Sequence, residues 1–217
     1  MSKPEIIGSS RSSYTRVVRM VCEEKGIDYT LTETLLGAPE VFAIHPFGKM
    51  PVLRHGDFTL YESKAISTYL DRAFPGPELI PSDPREGALT EQWVSLVNTV
   101  LDPTLVRTYL LAYAFPMAED GKPDRARIDA VLPSVREQLA LLDKAVAATG
   151  YLVGDRFTLA DICVLPILYY LKRLPESGRM LETSTPLGRY HETHSARPSF
   201  VRTLPPPGPP RRVAPPA

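Results

Sequence analysis

Residues 50–70 read MPVLRHGDFTLYESKAISTYL, and the order of signals inside this stretch decides the fold. Pro51 stands where a strand opens, a position that tolerates a residue without an N–H, and it forces Met50 into extended backbone. Residues 51–54 and 58–61 flank a turn at His55-Gly56-Asp57, which reads as an antiparallel hairpin. A helix over 63–74 follows, with Ser63 as its N-cap and Ala65, Ile66, Tyr69 and Leu70 on one face. The polar groups of Met50 beside the proline are placed to pair with an extended, peptide-like ligand, as an added strand would. A helix start with a hydroxyl beside it attracts anions, and Glu62 can pair with an amine. Glu62 and Ser63 can therefore hold both charges of an α-amino acid end group. Each element also has a plain structural reading: a turn proline leading an edge strand, and a simple helix cap.

Upstream, Glu5–Gly8 is a candidate strand, and residues 9–16 read SSRSSYTR. Residues 14–25 carry Val17, Val18, Val21 and Cys22 at helical spacing, with Gly26 placed to stop the helix. Residues 28–34, DYTLTET, alternate with period two and read as a strand. A single helical crossover makes these two strands parallel.

Downstream, residues 75–84 contain four prolines and read as a linker. Helical patterns then run over about 85–113, 123–148, 159–171 and 186–196, with Asp102-Pro103 marking a kink or break in the first. Thr158 and Asp161 have capping-box spacing, with Phe157 and Ile162 at the staple positions. From 205 to 217, seven of 13 residues are proline, a composition that cannot bury a core and reads as a disordered tail. The chain thus divides into 1–76, a linker at 77–84, an all-α part at 85–204 and the tail.

The 217 residues carry 25 basic and 25 acidic side chains. That balance argues against a nucleic-acid partner, which calls for a basic surplus. No apolar run is long enough to span a membrane, and the first residues lack the apolar core of a signal peptide. Cys22 and Cys163 sit in apolar helical patterns and read as buried, reduced thiols of a cytoplasmic protein. His191 and His194 lie three apart on a helix without an acidic or cysteine partner nearby, so no metal site is expected.

Taken together, the strand, Ser-rich turn, helix, strand, Met-Pro hairpin and Glu-Ser helix follow the order of a thioredoxin-like domain. With the all-α second half, the TLADI capping box and ARPSFVRT at 196–203, residues 4–204 resemble the cytosolic glutathione S-transferase superfamily. The resemblance implies an α/β thioredoxin-like N-terminal domain followed by an all-α C-terminal helical bundle. It implies a cytoplasmic homodimer that joins the thiolate of glutathione, its co-substrate, to a small hydrophobic electrophile in detoxification. The Arg-, Ala- and Pro-rich composition suggests a bacterial source.

Carried over residue by residue, the resemblance implies a cis peptide at Pro51 and pairing of Met50 with the cysteinyl part of glutathione. Glu62 and Ser63 would hold the γ-glutamyl end, Lys49 the glycyl end, and His45 is a further glutathione contact. VVRMVCEEKGI aligns with the first helix of serine- and cysteine-type members, which places Ser12 on their catalytic position. Ser10 and Ser13 are the rivals, and Ser9 belongs to the same cluster. Gly8-Ser9 stand where tyrosine-type members carry their tyrosine, so that mechanism is not expected. The serine acts as a donor: the helix dipole and a hydroxyl hydrogen bond hold the thiol as thiolate. A shift of about two pKa units corresponds to roughly 2.7 kcal/mol. Arg11 and Arg16 are candidates for the same task, or else surface and interface salt-bridge residues. The electrophile pocket is expected along the first long helix of the second half, which also carries Trp93, with Tyr14, Arg107, Tyr109 and Tyr113 lining it. Glutathione-dependent peroxidase or isomerase chemistry and a non-catalytic binding or regulatory protein are the alternatives on this scaffold. Tyr14 stands where the isomerase relatives carry cysteine, which lowers the isomerase reading.

Overall fold

A computed structural model describes residues 2–35, 37–116 and 121–208. Their contacts divide into two units, Met1–Leu79 with the stretch from Pro198 onward, and Ile80–Arg197.

The first unit is built on four short strands: β1 (Glu5–Gly8), β2 (Thr30–Glu33), β3 (Val52–His55) and β4 (Phe58–Tyr61). They lie in the order β2-β1-β3-β4. β1 and β2 are parallel with Gly8 opposite Glu33, β3 is antiparallel to β1 with Val52 opposite Ile7, and β4 returns beside β3 with Tyr61 opposite Val52. Helices α1 (Ser13–Lys25) and α3 (Ser63–Ala73) pack on each other and against the sheet. Ile6, Val18, Val21, Val52, Leu53, Ile66 and Leu70 form the buried core. α1 stops at Gly26, whose φ of 65° turns its N–H back onto the last carbonyls. Gly8 is required for the contact of strand and helix: a Cβ there would lie 2.5 Å from the Thr15 hydroxyl oxygen. The four-residue α2 (Pro39–Phe42) was not anticipated, because one turn is too short to show a period.

The stretch from Pro198 belongs to this unit for a reason the sequence hides. Arg16 is fully buried. It donates from Nε to the Thr203 hydroxyl and from Nη2 to the Phe200 carbonyl, and lies 4.1 Å over the Phe200 ring. Arg19 adds bonds to the carbonyls of Thr203 and Arg202. The two arginines close the C-terminal end of α10 (Pro198–Arg202), where orphan carbonyls accept cations well. The surface salt-bridge reading of Arg16 is therefore corrected: its partners are carbonyls, a hydroxyl and a ring in the interior. Residues 205–208 also lie in this unit, and the remainder of the proline-rich tail falls outside the described residues.

The second unit is helical. α4 (Pro84–Leu96) runs without a break into a π-helical segment (Val97–Leu110) and the short α5 (Leu111–Ala114). The kink or break expected at Asp102-Pro103 is replaced by a change of register. Pro103 has no N–H to give, and the wider i→i+5 winding passes over the gap. Arg107 to Asp102 (2.6 Å) and Thr108 to the Pro103 carbonyl (2.8 Å) both bridge five residues. α6 (Arg125–Val146) packs on the π-helical segment and on α9 (Pro186–Ser195), and α7 (Leu159–Leu171) packs on α4, α9 and the π-helical segment. α7 is the buried centre, and the expected capping box at Thr158 and Asp161 starts it. Asp161 also accepts from the Leu152 N–H and the Tyr190 hydroxyl, 3.0 and 2.9 Å away. Phe157 lies 5.3 Å from the His194 ring and 3.9 Å under Arg197. Among the described residues no helix is long and apolar enough to cross a membrane.

Candidate functional site

The register of the sheet brings four chain segments to one end of the first unit. There β1 leaves Gly8 for the serine turn, and β2 ends at Glu33 opposite it. Pro51 precedes Val52 next to Ile7, and Tyr61 opposite Val52 leads into Glu62-Ser63. The stretches singled out in the sequence therefore meet at one place, although 41 residues separate Ser9 from Met50, whose thioether lies 3.1 Å from the Ser9 nitrogen.

Within the turn the serines have different surroundings. Glu33 accepts from the Ser10 N–H (3.0 and 3.1 Å to its two oxygens) and from the hydroxyls of Ser9 and Ser10, each at 3.1 Å. Those two hydroxyls donate to a carboxylate. The Ser9 hydroxyl also accepts the Arg11 N–H. Ser12 is the N-cap of α1: its Oγ accepts from the Thr15 N–H at 3.3 Å, and its backbone N–H donates to the Ser9 carbonyl at 2.9 Å. Accepting through oxygen leaves the Ser12 O–H proton available to donate, at the positive end of the helix. Ser13 is the first residue of the helix and, like Ser12, half-buried. Tyr14 follows it in the first turn, also half-buried. Glu33 escapes sequence reading, since within TLTE it is one more outward strand residue, and only the register places it beside Gly8.

The Met50-Pro51 peptide is cis. Lys49 is exposed, its Nζ 6.0 Å from the Phe47 ring. His45 is buried, with its ring 4.7 Å from that of Tyr61. Its Nδ1 accepts the Phe47 N–H at 3.0 Å, so in the neutral ring the proton sits on Nε2.

At the start of α3 the structure corrects the expected cap. Glu62, not Ser63, is the N-cap residue, with φ 70° and ψ 114° and no side-chain hydrogen bond to the helix; Ser63 is the first helical residue, and buried. Glu62 is the one non-glycine residue at positive φ among those described. Such a conformation costs about 1 kcal/mol or more and persists only where the surroundings enforce it. Its carbonyl already takes the Ile66 N–H at 2.9 Å, so the helix begins with no side chain folded over its first turn. The result is an anion-attracting helix start beside an exposed carboxylate, the two poles that an amino-acid end group requires.

The aromatic residues expected to line a pocket lie in the second unit with partners of their own. Tyr109 is fully buried; its hydroxyl donates to Glu176 (2.9 Å) and meets Ser177. Tyr113 donates to Glu176 at 2.6 Å, and Arg125 reaches the same carboxylate at 2.7 Å. Burial would raise the Glu176 carboxyl, but the bonds from Tyr113, Arg125 and Tyr109 outweigh it and hold it down at about 2. Burial, then the bond to Glu176, pushes Tyr113 up. Arg107 is paired with the buried Asp102.

The cysteines are not part of any site. Burial pushes both the Cys22 and Cys163 thiols up to about 12, far from the thiolate form that nucleophilic chemistry needs. Among the described residues no group of three or more His, Cys, Asp or Glu gathers as metal ligands do. His194 instead bonds the Gly150 carbonyl at 2.8 Å.

Comparison with known proteins gives one consistent pattern. Residues 6–78 match the glutathione S-transferase N-terminal domain, and residues 104–198 the C-terminal domain. Glutathione S-transferase F10 of Arabidopsis thaliana is 34% identical over 168 residues, covering 74% of this chain and 76% of its own. Glutathione S-transferase 3 of Zea mays is 30% identical over 221 residues, 95% of this chain and 98% of its own. Among solved structures, a glutathione S-transferase of Methylobacillus flagellatus with glutathione bound is 31% identical, with a TM-score of 0.77 over 94% of this chain and 100% of the other.

Proposed function

Because this chain belongs to the glutathione S-transferase family, we propose that it is a serine-type glutathione transferase in which Ser12 donates to the thiolate of its co-substrate, glutathione. The observation that carries the assignment is the different engagement of the serines: Glu33 takes the hydroxyls of Ser9 and Ser10, while Ser12 caps α1 through its oxygen alone. Ser12 stays un-ionised. Its hydrogen bond and the helix dipole favour the thiolate over the thiol, and the thiolate attacks an electrophilic carbon.

Met50 pairs its backbone with the cysteinyl amide beside the cis proline. Glu62 and the start of α3 at Ser63 take the ammonium and carboxylate of the γ-glutamyl end, and the exposed Lys49 and the Nε2 of His45 take the glycyl end. The second substrate is a small hydrophobic electrophile. Since Glu176 holds the hydroxyls of Tyr109 and Tyr113, these residues offer it ring surface more than donors. A cytoplasmic homodimer, in a bacterial host, completes the proposal. Phe47 and Phe42, 73% and 58% exposed, support the dimer as apolar rings left in solvent.

Turnover of a chlorodinitrobenzene-type electrophile tests the role of Ser12. Ser12→Ala is expected to lower kcat/KM by about 10²-fold, the usual scale for one donor to a developing or resident anion. It should also move the pH–rate profile to higher pH, because the thiol loses the group that lowered its pKa. Ser10→Ala and Ser13→Ala should keep most of the rate. Equal activity in wild type and Ser12→Ala would remove Ser12 from the mechanism, and absence of glutathione binding by calorimetry would point to the non-catalytic alternative.

A further inference from the structure

Arg11 sits in the middle of the serine turn, directly before Ser12. Its Nη1 donates to the Gly208 carbonyl at 2.7 Å and its Nη2 to the Pro207 carbonyl at 2.9 Å, so the chain comes back 196 residues later to meet the turn. The chemistry of the two sides matches. The run Pro205-Pro206-Pro207 has carbonyl acceptors and no N–H donors, whereas a guanidinium is a fork of donors with no acceptor. Gly208 has a φ of 99°, a backbone conformation that side chains disfavour; there the Pro207 and Gly208 carbonyls both reach the one guanidinium.

We propose that residues 205–208 are a latch on Arg11. Docked, the latch occupies the guanidinium with neutral carbonyls. Released, it leaves Arg11 to draw the anionic co-substrate toward the serine turn. This rests on the reading that Ser12 meets glutathione. The docked contact is a pair of hydrogen bonds at exposed carbonyls, an interaction of modest net strength, so docking is reversible. The proline-rich segment is thereby a brake on glutathione affinity, set by one side chain of the catalytic turn.

The test combines truncation after Leu204 with Arg11→Met. Truncation there keeps Phe200 and Thr203, the partners of Arg16, so the first unit retains its closure. Truncation is expected to lower the KM for glutathione by about two- to tenfold, the range of one net hydrogen bond, with kcat little changed. In the Arg11→Met background it should have no further effect on KM. A truncation that changes nothing, or acts equally in both backgrounds, overturns the brake.

A second measurement reads docking without turnover. Both native cysteines are buried, so a nitroxide on Pro206→Cys reports that position alone. The label should be restrained with Arg11 present and mobile in Arg11→Met; equal mobility overturns the latch. Loss of turnover in the parent chain would instead count against the glutathione reading, and the label would still decide the latch.

Discussion

Glu33 shows how one exposed carboxylate can sort four neighbouring serines. It engages the hydroxyls of Ser9 and Ser10 and the Ser10 N–H, which fixes the turn from the side of β2. Glu33→Ala is expected to lower kcat/KM about tenfold through a looser turn, while Glu33→Gln, which keeps an acceptor oxygen, recovers most of it. Steady-state kinetics on both variants, with melting temperatures to confirm folding, check this; equal loss in both would mean that the charge matters and not the bonds. At this scale Ser12 was legible, because its spacing from VVRMVCEEKGI is local. Glu33 was not, because its role depends on a parallel register between strands separated by a helix.

Among the elements, α7 depends on one residue. Asp161 joins the Thr158 N–H, the Leu152 N–H and the Tyr190 hydroxyl inside the second unit. Asp161→Ala strands all three donors in the interior and is expected to cost about 3 kcal/mol or more, read by denaturant unfolding; a loss below about 1 kcal/mol would mean that water replaces the carboxylate.

Glu176 gives the same unit a pH dependence. Its folded carboxyl lies at about 2 against an ordinary 4.5. The stability it contributes is therefore fully present above pH 4.5 and is lost as pH falls through about 2. Unfolding curves of Glu176→Gln should lack that part of the acid slope, and an unchanged slope would place the titration elsewhere. Element identity was largely legible from period and caps: β1, β4 and α7 stand where their patterns place them. The Asp102-Pro103 segment was not, since the sequence announces the missing donor and not the wider winding that passes over it.

For the molecule as a whole, the two thiols are a probe of global unfolding. With burial holding both up at about 12, neither should react with an aromatic disulfide reagent at about pH 8 in the folded chain, and both should react in denaturant. Rapid labelling of one thiol under native conditions would reveal local opening at α1 or α7. The division of the chain was legible only in part. Composition separates the strand-bearing half from the helical half, but nothing in ARPSFVRT announces that its helix packs with the first residues and not with those just before it.

That return of the chain has a consequence for biosynthesis. Arg16 and Arg19 enter the cell early and find their partners at Phe200, Arg202 and Thr203 only when nearly all of the polypeptide has been made. As the chain leaves the ribosome, the sheet and its helices can assemble first, yet two buried guanidinium groups wait for the last helix. The helical half, continuous from Ile80 to Arg197, can be complete before the unit that began first. Ribosome-stalled chains ending near residue 197 should therefore be open to protease in their first eighty residues, and become protected when translation passes residue 203.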